Sequence, residues 1–148
     1  MNQDFKELLL AFNDEKVEYL IVGAHALAVY GYVRATKDLD VWIKPEDTNA
    51  RKVLAGLSSF GSPLGDVTSD DLVRAGTVFQ IGIAPLRIDL LTSIDGVSFT
   101  EAWADRETSM LGEVPVFVIS RHHLIANKKA SARPQDIADL NELESSEN

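Results

Sequence analysis

The chain has 148 residues, 45% of them hydrophobic and 25% charged, with a net charge of −9 and no cysteine. That balance belongs to a folded globular protein with enough length for a real core, and it predicts one domain over residues 1–148. Disulfides and thiolate metal sites are excluded, and the acidic total argues against a generally basic nucleic-acid binder, because phosphate contact is the work of Lys and Arg.

The amino-terminal stretch MNQDFKELLLAFNDEK lacks the basic start and small-residue cleavage site of a secretory signal. No run is long enough to cross a bilayer. The expectation is a cytoplasmic protein with no membrane partner. Residues 3–16 place Phe5, Leu8, Leu9 and Phe12 at helical spacing and predict an amphipathic helix. VEYLIV (17–22) reads as a short buried strand, interrupted by Gly23, and AHALAVYG then has the Ala-rich composition of a helix ending at Gly31. DLDVWI (38–43) is the second strand, stopped by Pro45, and residues 46–60 form a helix with Val53, Leu54 and Leu57 inward. GSPLG is a loop, and SDDLVRAG predicts a short helix capped by Ser69.

TVFQIGI (77–83) and LRIDLLT (86–92) are strands separated by Ala84 and Pro85, a hairpin spacing. Ser98 and Glu101 form a capping-box pattern that starts a helical turn in SFTEAWADRE. VPVFVIS (114–120) is a further strand, Ser120 caps RHHLIANKKAS, and Pro134 opens a last helix, so helices fill about 120–145. The order predicts an α/β (α+β) fold, a small mixed β-sheet flanked by helices.

On a strand, residues i and i+2 share a face, so Asp38 and Asp40 project together while Leu39 and Val41 enter the core. Asp89 sits between Ile88 and Leu90 on a strand that otherwise reads as core. If the hairpin packs beside the Asp38 strand, three carboxylates collect on one sheet. Such a cluster repels itself unless a cation neutralises it, and oxygen ligation suits Mg2+ or Mn2+ arriving with a nucleoside triphosphate. The strand–Gly23–helix turn offers backbone N–H groups to a phosphate. Arg34 and Lys37 stand ahead of the aspartates, where they can pair with phosphate oxygens or with the acids.

VGAHALAVYGYVRATKDLDVWI resembles the signature of the nucleotidyltransferase superfamily with a DNA polymerase β-like core: strand, glycine turn, helix, then Asp-x-Asp, with a third carboxylate on a later strand. It is most similar to small stand-alone bacterial members, including those of toxin–antitoxin and abortive-infection systems, and residues 17–92 carry the match. The resemblance implies that Asp38, Asp40 and Asp89 are catalytic and hold the metals. It implies that Gly23 and Ala24 form the phosphate turn, where the family usually has Gly or Ser at the position of Ala24. Arg34 and Lys128 become nucleotide-binding candidates, and Lys129, Asp136 and Asp139 are further candidates by resemblance only, against a plain reading as a charged exposed helix face.

The activity implied is transfer of a nucleoside monophosphate from an NTP to an acceptor hydroxyl, with pyrophosphate released. The acceptor would be tRNA, a partner protein or a small molecule such as an aminoglycoside or lincosamide antibiotic. The alternative is a catalytically degenerate nucleotide- or partner-binding module of the same fold. His25 and the His122–His123 pair read as packed or helix-terminal residues rather than a zinc site, and Trp42 and Trp103 as core rather than stacking platforms.

Overall fold

The computed structural model describes residues 2–36, 38–61, 67–82 and 87–145. Helix α1 (Gln3–Asp14) starts at Asn2, whose side chain accepts hydrogen bonds from the Asp4 and Phe5 amides, and it buries Phe5, Leu8, Leu9 and Phe12. Strand β1 (Tyr19–Val22) is buried along its whole length, and α2 (Gly23–Val29) follows without a linker. Next come β2 (Asp38–Ile43) and α3 (Asp47–Phe60), which Gly61 ends in the left-handed conformation at φ 88°. Asn49, buried on α3, accepts from the Glu18 amide and donates to the Glu18 and Lys44 carbonyls, tying α3 to the ends of β1 and β2.

The helix expected over SDDLVRAG is only a 3-10 turn (Asp71–Val73), and Thr68 rather than Ser69 holds it, through reciprocal bonds with Asp71. Strands β3 (Val78–Ile81) and β4 (Arg87–Leu91) pair antiparallel, the expected hairpin, although its tip at Ala84 and Pro85 lies outside the described residues. Helix α4 (Phe99–Ala104) carries the predicted cap, with Ser98 Oγ accepting from the Glu101 amide. A strand that the sequence reading lacked, β5 (Glu107–Leu111), then pairs antiparallel with β6 (Val114–Val118). Helix α5 (Arg121–Ser131) starts at the Ser120 cap and α6 (Pro134–Ser145) at Pro134, both as expected.

The six strands form one mixed sheet in the order β3-β4-β2-β1-β6-β5. β1 is antiparallel to β2 and parallel to β6, and β2 is parallel to β4. Alternation sets the two faces of β2 and β4. Leu39, Val41, Ile88 and Leu90 enter one apolar cluster with Leu8, Phe12, Val53 and Leu57 from α1 and α3. The opposite face carries the acids. Farther along β2 on that face, Trp42 is buried edge-on against Phe99 at 5.0 Å, and Phe99 stacks on half-buried Trp103, which packs against the core from its edge. No helix among the described residues is long and apolar enough to cross a membrane.

Candidate active site

Register brings the acids together. β2 and β4 run parallel with Asp40 directly beside Asp89 and Asp38 directly beside Arg87. All four side chains therefore share the face away from Leu39, Val41, Ile88 and Leu90. The expected meeting of Asp38, Asp40 and Asp89 on one sheet is what the pairing produces.

Asp40 is also the β2 neighbour of Val22, the last residue of β1. Its carboxylate lies against the Cα of Gly23, so closely that a Cβ there would collide with Asp40 Oδ2. Gly23 has φ +70°, a left-handed conformation that a side chain makes costly. Glycine is thus demanded at 23 twice over, by the backbone and by the acid it touches. Ala24 is buried beside it, and no side chain caps the first turn of α2.

Electrostatics separates the three carboxylates. Burial, then the charges of Asp89 and Asp38, push Asp40 up to about 6, against the opposing pull of Lys128 and Arg133. Burial and Asp38 likewise raise Asp89, although the Gln80 side chain donates a hydrogen bond to it. Asp89 Oδ1 is buried with no hydrogen-bond partner, a costly state for a carboxylate oxygen. Asp38 has a partner: Arg87 reaches it through Nη2 at 3.2 Å. Among the described residues the three carboxylates do not all bring an oxygen within 4.8 Å of one another, and Asp38 is paired with Arg87. The donor set still fits a hard divalent cation: oxygen ligands only, one of them orphaned, and an excess of negative charge.

A cleft of about 740 Å³ is lined by Asp38 and Asp40 but not by Asp89, with Gly23, Ala24 and Asp40 on one wall and Asn127, Lys128 and Arg133 on the other. The far wall is a buried charge network. Lys128 Nζ lies 3.3 Å from Asp136 Oδ1 and 3.1 Å from Asp139 Oδ2, and both aspartates are almost wholly buried. Arg34 joins from the segment before β2, donating to both oxygens of Asp139 at 3.2 and 3.4 Å. Burial alone would raise Asp136 and Asp139. Hydrogen bonds from Arg133, Ser131 and Lys128 to the first, and from Gln135, Lys128 and Arg34 to the second, hold them below the usual carboxylate range.

The exposed-face reading therefore holds for Lys129 and is wrong for Lys128, Asp136 and Asp139. Arg34 and Lys128 line the cleft, but both are already bound to carboxylates. Lys37 lies outside the described residues. His25 packs edge-on against Phe5 at 5.7 Å, and burial lowers its pKa. Two residues escaped the sequence reading: Arg87, the partner of Asp38, betrayed only by its position two residues before Asp89 on the same strand face, and Arg133, exposed on the cleft rim and bonded to Asp136 at 2.9 Å.

A family model described as a nucleotidyltransferase of unknown function (DUF6036) matches residues 1–147. Among solved structures, the chain is similar to LnuA, a lincosamide antibiotic adenylyltransferase with lincomycin bound, at 14% identity and a TM-score of 0.60, over 98% of this chain and 97% of that one. It is also similar to a Thermotoga maritima protein provisionally assigned as a nucleotidyltransferase, at 12% identity and a TM-score of 0.61, over 95% and 88% of the two chains. At these identities the structures testify to the fold. No curated protein matches the sequence.

Proposed function

From a chain that belongs to this nucleotidyltransferase family of unknown function, we propose a metal-dependent enzyme that moves a nucleoside monophosphate from an NTP to an acceptor hydroxyl. The observation that carries the reading is the parallel register that sets Asp89 beside Asp40, a residue of the cleft wall, with Asp89 Oδ1 buried and unpaired. Mg2+ or Mn2+ held by Asp38, Asp40 and Asp89 would neutralise the acids and stabilise charge on the triphosphate and the departing pyrophosphate.

The protein's own groups divide the remaining work. Gly23, lacking a Cβ, lets the Asp40 carboxylate sit against the turn whose Gly23 and Ala24 main chain a phosphate would approach. Arg133 adds positive charge at the cleft rim, where it suits phosphate geometry. Arg34 and Lys128 act as positioning residues, holding the segment before β2 against α5 and α6 through Asp139. The acceptor oxygen bonds to the α-phosphorus, the bond to the pyrophosphate oxygen breaks, and Asp89, already raised by burial, takes the hydroxyl proton. Residues 1–148 would serve as one catalytic unit, with the helices of about 120–145 closing the cleft. A place in a toxin–antitoxin system is part of the same proposal.

The test labels each of the four NTPs at the α-phosphate and incubates them with Mg2+ or Mn2+, cell RNA and protein extract. The comparison is wild type against the Asp38→Ala/Asp40→Ala double variant. Label transferred by wild type alone supports the proposal, and the labelled RNA, protein or small molecule identifies the acceptor. Metal-dependent NTP binding without transfer would point instead to the binding module, a reading that Ala24 favours because it offers no hydroxyl.

A further inference from the structure

Away from the cleft, the end of α4 meets the start of α5. Asp105 follows the last residue of α4, and His122 and His123 occupy the first turn of α5. His122 Nε2 lies 3.2 Å from Asp105 Oδ2, and His123 Nδ1 lies 3.9 Å from the same oxygen. One ligand atom from each residue falls within 4.8 Å of the other two, and among the described residues this is the one trio of His, Asp or Glu that does so.

Adjacent residues on a helix normally diverge. Here the imidazole centroids are 4.1 Å apart with the planes tilted by 39°. Ser120, the α5 cap, organises them: its Oγ lies 3.2 Å from His122 Nδ1 and 3.0 Å from His123 Nδ1. Engagement of His122 Nδ1 by a hydroxyl leaves Nε2 free to face Asp105, the pattern in which an outer hydrogen bond orients a metal-binding imidazole. His123 would exchange its Ser120 contact for the ion. His122 and Asp105 are more than half exposed, so an ion can enter from solvent.

We propose that Asp105, His122 and His123 form a binding site for an imidazole-preferring transition-metal dication such as Zn2+. Two imidazoles and one carboxylate are the donors that zinc, nickel and cobalt favour, whereas Mg2+ prefers oxygen alone. Three protein ligands leave a coordination position open to water or an incoming donor. The ion would pin the end of α4 to the helix that carries Lys128, and it is separate in place and chemistry from Asp38, Asp40 and Asp89. The inference therefore stands whether or not the cleft catalyses transfer.

The experiment is calorimetric titration with ZnCl2 in a non-coordinating buffer, on chelator-treated and dialysed full-length protein. The proteins compared are wild type, His122→Ala/His123→Ala, the single exposed variant His122→Asn, and Asp38→Ala/Asp40→Ala. Wild type and the acid double variant are expected to bind one Zn2+ alike. The histidine double variant should lose at least about tenfold in affinity, and His122→Asn should weaken binding while melting like wild type without metal. Excess Mg2+ should not displace the Zn2+. The proposal is overturned if wild type shows no saturable binding below about 1 mM Zn2+, or if His122→Asn binds as wild type does. Loss of binding in the acid variant alone would also overturn it.

Discussion

Gly23 and Asp40 illustrate how closely single residues constrain one another here. The left-handed turn at Gly23 and the Asp40 carboxylate occupy the space that any side chain at 23 would need. Gly23→Ala is expected to destabilise the protein by about 1–3 kcal/mol, from backbone strain and the clash, and to abolish transfer by displacing Asp40. Urea denaturation and the labelling assay would check the two effects separately. Asp40 also sets a pH dependence in metal-free protein. Its folded pKa of about 6 lies above the ordinary 3.8, so the folded state holds its proton more tightly than the unfolded chain. That stability is fully present below about pH 4 and is lost as pH rises through 6, by on the order of 2–3 kcal/mol. In chelator, Asp40→Asn should therefore be more stable than wild type at pH 8, with the gap shrinking toward pH 4. An unchanged gap across that range would mean that Asp40 does not carry the shift.

Between elements, the decisive contact is α5 against α6 with the segment before β2. Lys128 is the central cation for Asp136 and Asp139, and the other donors at these acids approach from Arg34, Arg133, Ser131 and Gln135. Removing one partner of a buried ion pair leaves an uncompensated charge. Lys128→Met should lower stability at pH 7 by about 3 kcal/mol, read as a fall in the urea midpoint with an unchanged slope. The acids' depressed pKa values give the opposite sign to Asp40: their stabilisation is present above the usual carboxylate range and lost as pH falls into the acid. The Lys128→Met deficit should accordingly narrow under acid conditions. The edge strand β5 shows a different lesson. Glu107, Thr108 and Met110 are exposed, and β5 has a sheet partner only in β6, so it shows neither the apolar run nor the alternation of a core strand. Its one clear signal was Gly112 at φ +62°, in a two-residue turn that joins Leu111 to Val114.

At the scale of the whole molecule, the cleft draws its walls from the start of α2, β2, the stretch after β4, α5 and the start of α6. A ligand seated there would tie together segments that unfolding must separate. At roughly a hundred times its Kd, a non-hydrolysable NTP with Mg2+ should add about 2.7 kcal/mol, or roughly 5–10 °C in Tm for a chain of this size. The shift should require both nucleotide and metal and should vanish in Asp38→Ala/Asp40→Ala. A shift retained by that variant would place the nucleotide elsewhere.

Local sequence was enough for the helices α1, α3, α5 and α6 and the core strands, because amphipathic spacing, caps and strand alternation are properties of neighbouring residues. Asp38 and Asp40 could be placed on one face from their spacing alone. Their meeting with Asp89 needed the parallel register of β2 with β4, which depends on how separate segments pack. The same limit hid Arg87 as the partner of Asp38 and made Lys128, Asp136 and Asp139 look like surface charges. A residue's own neighbours state its chemistry; whether its charge is solvated, buried or paired is decided by what the folded chain brings against it.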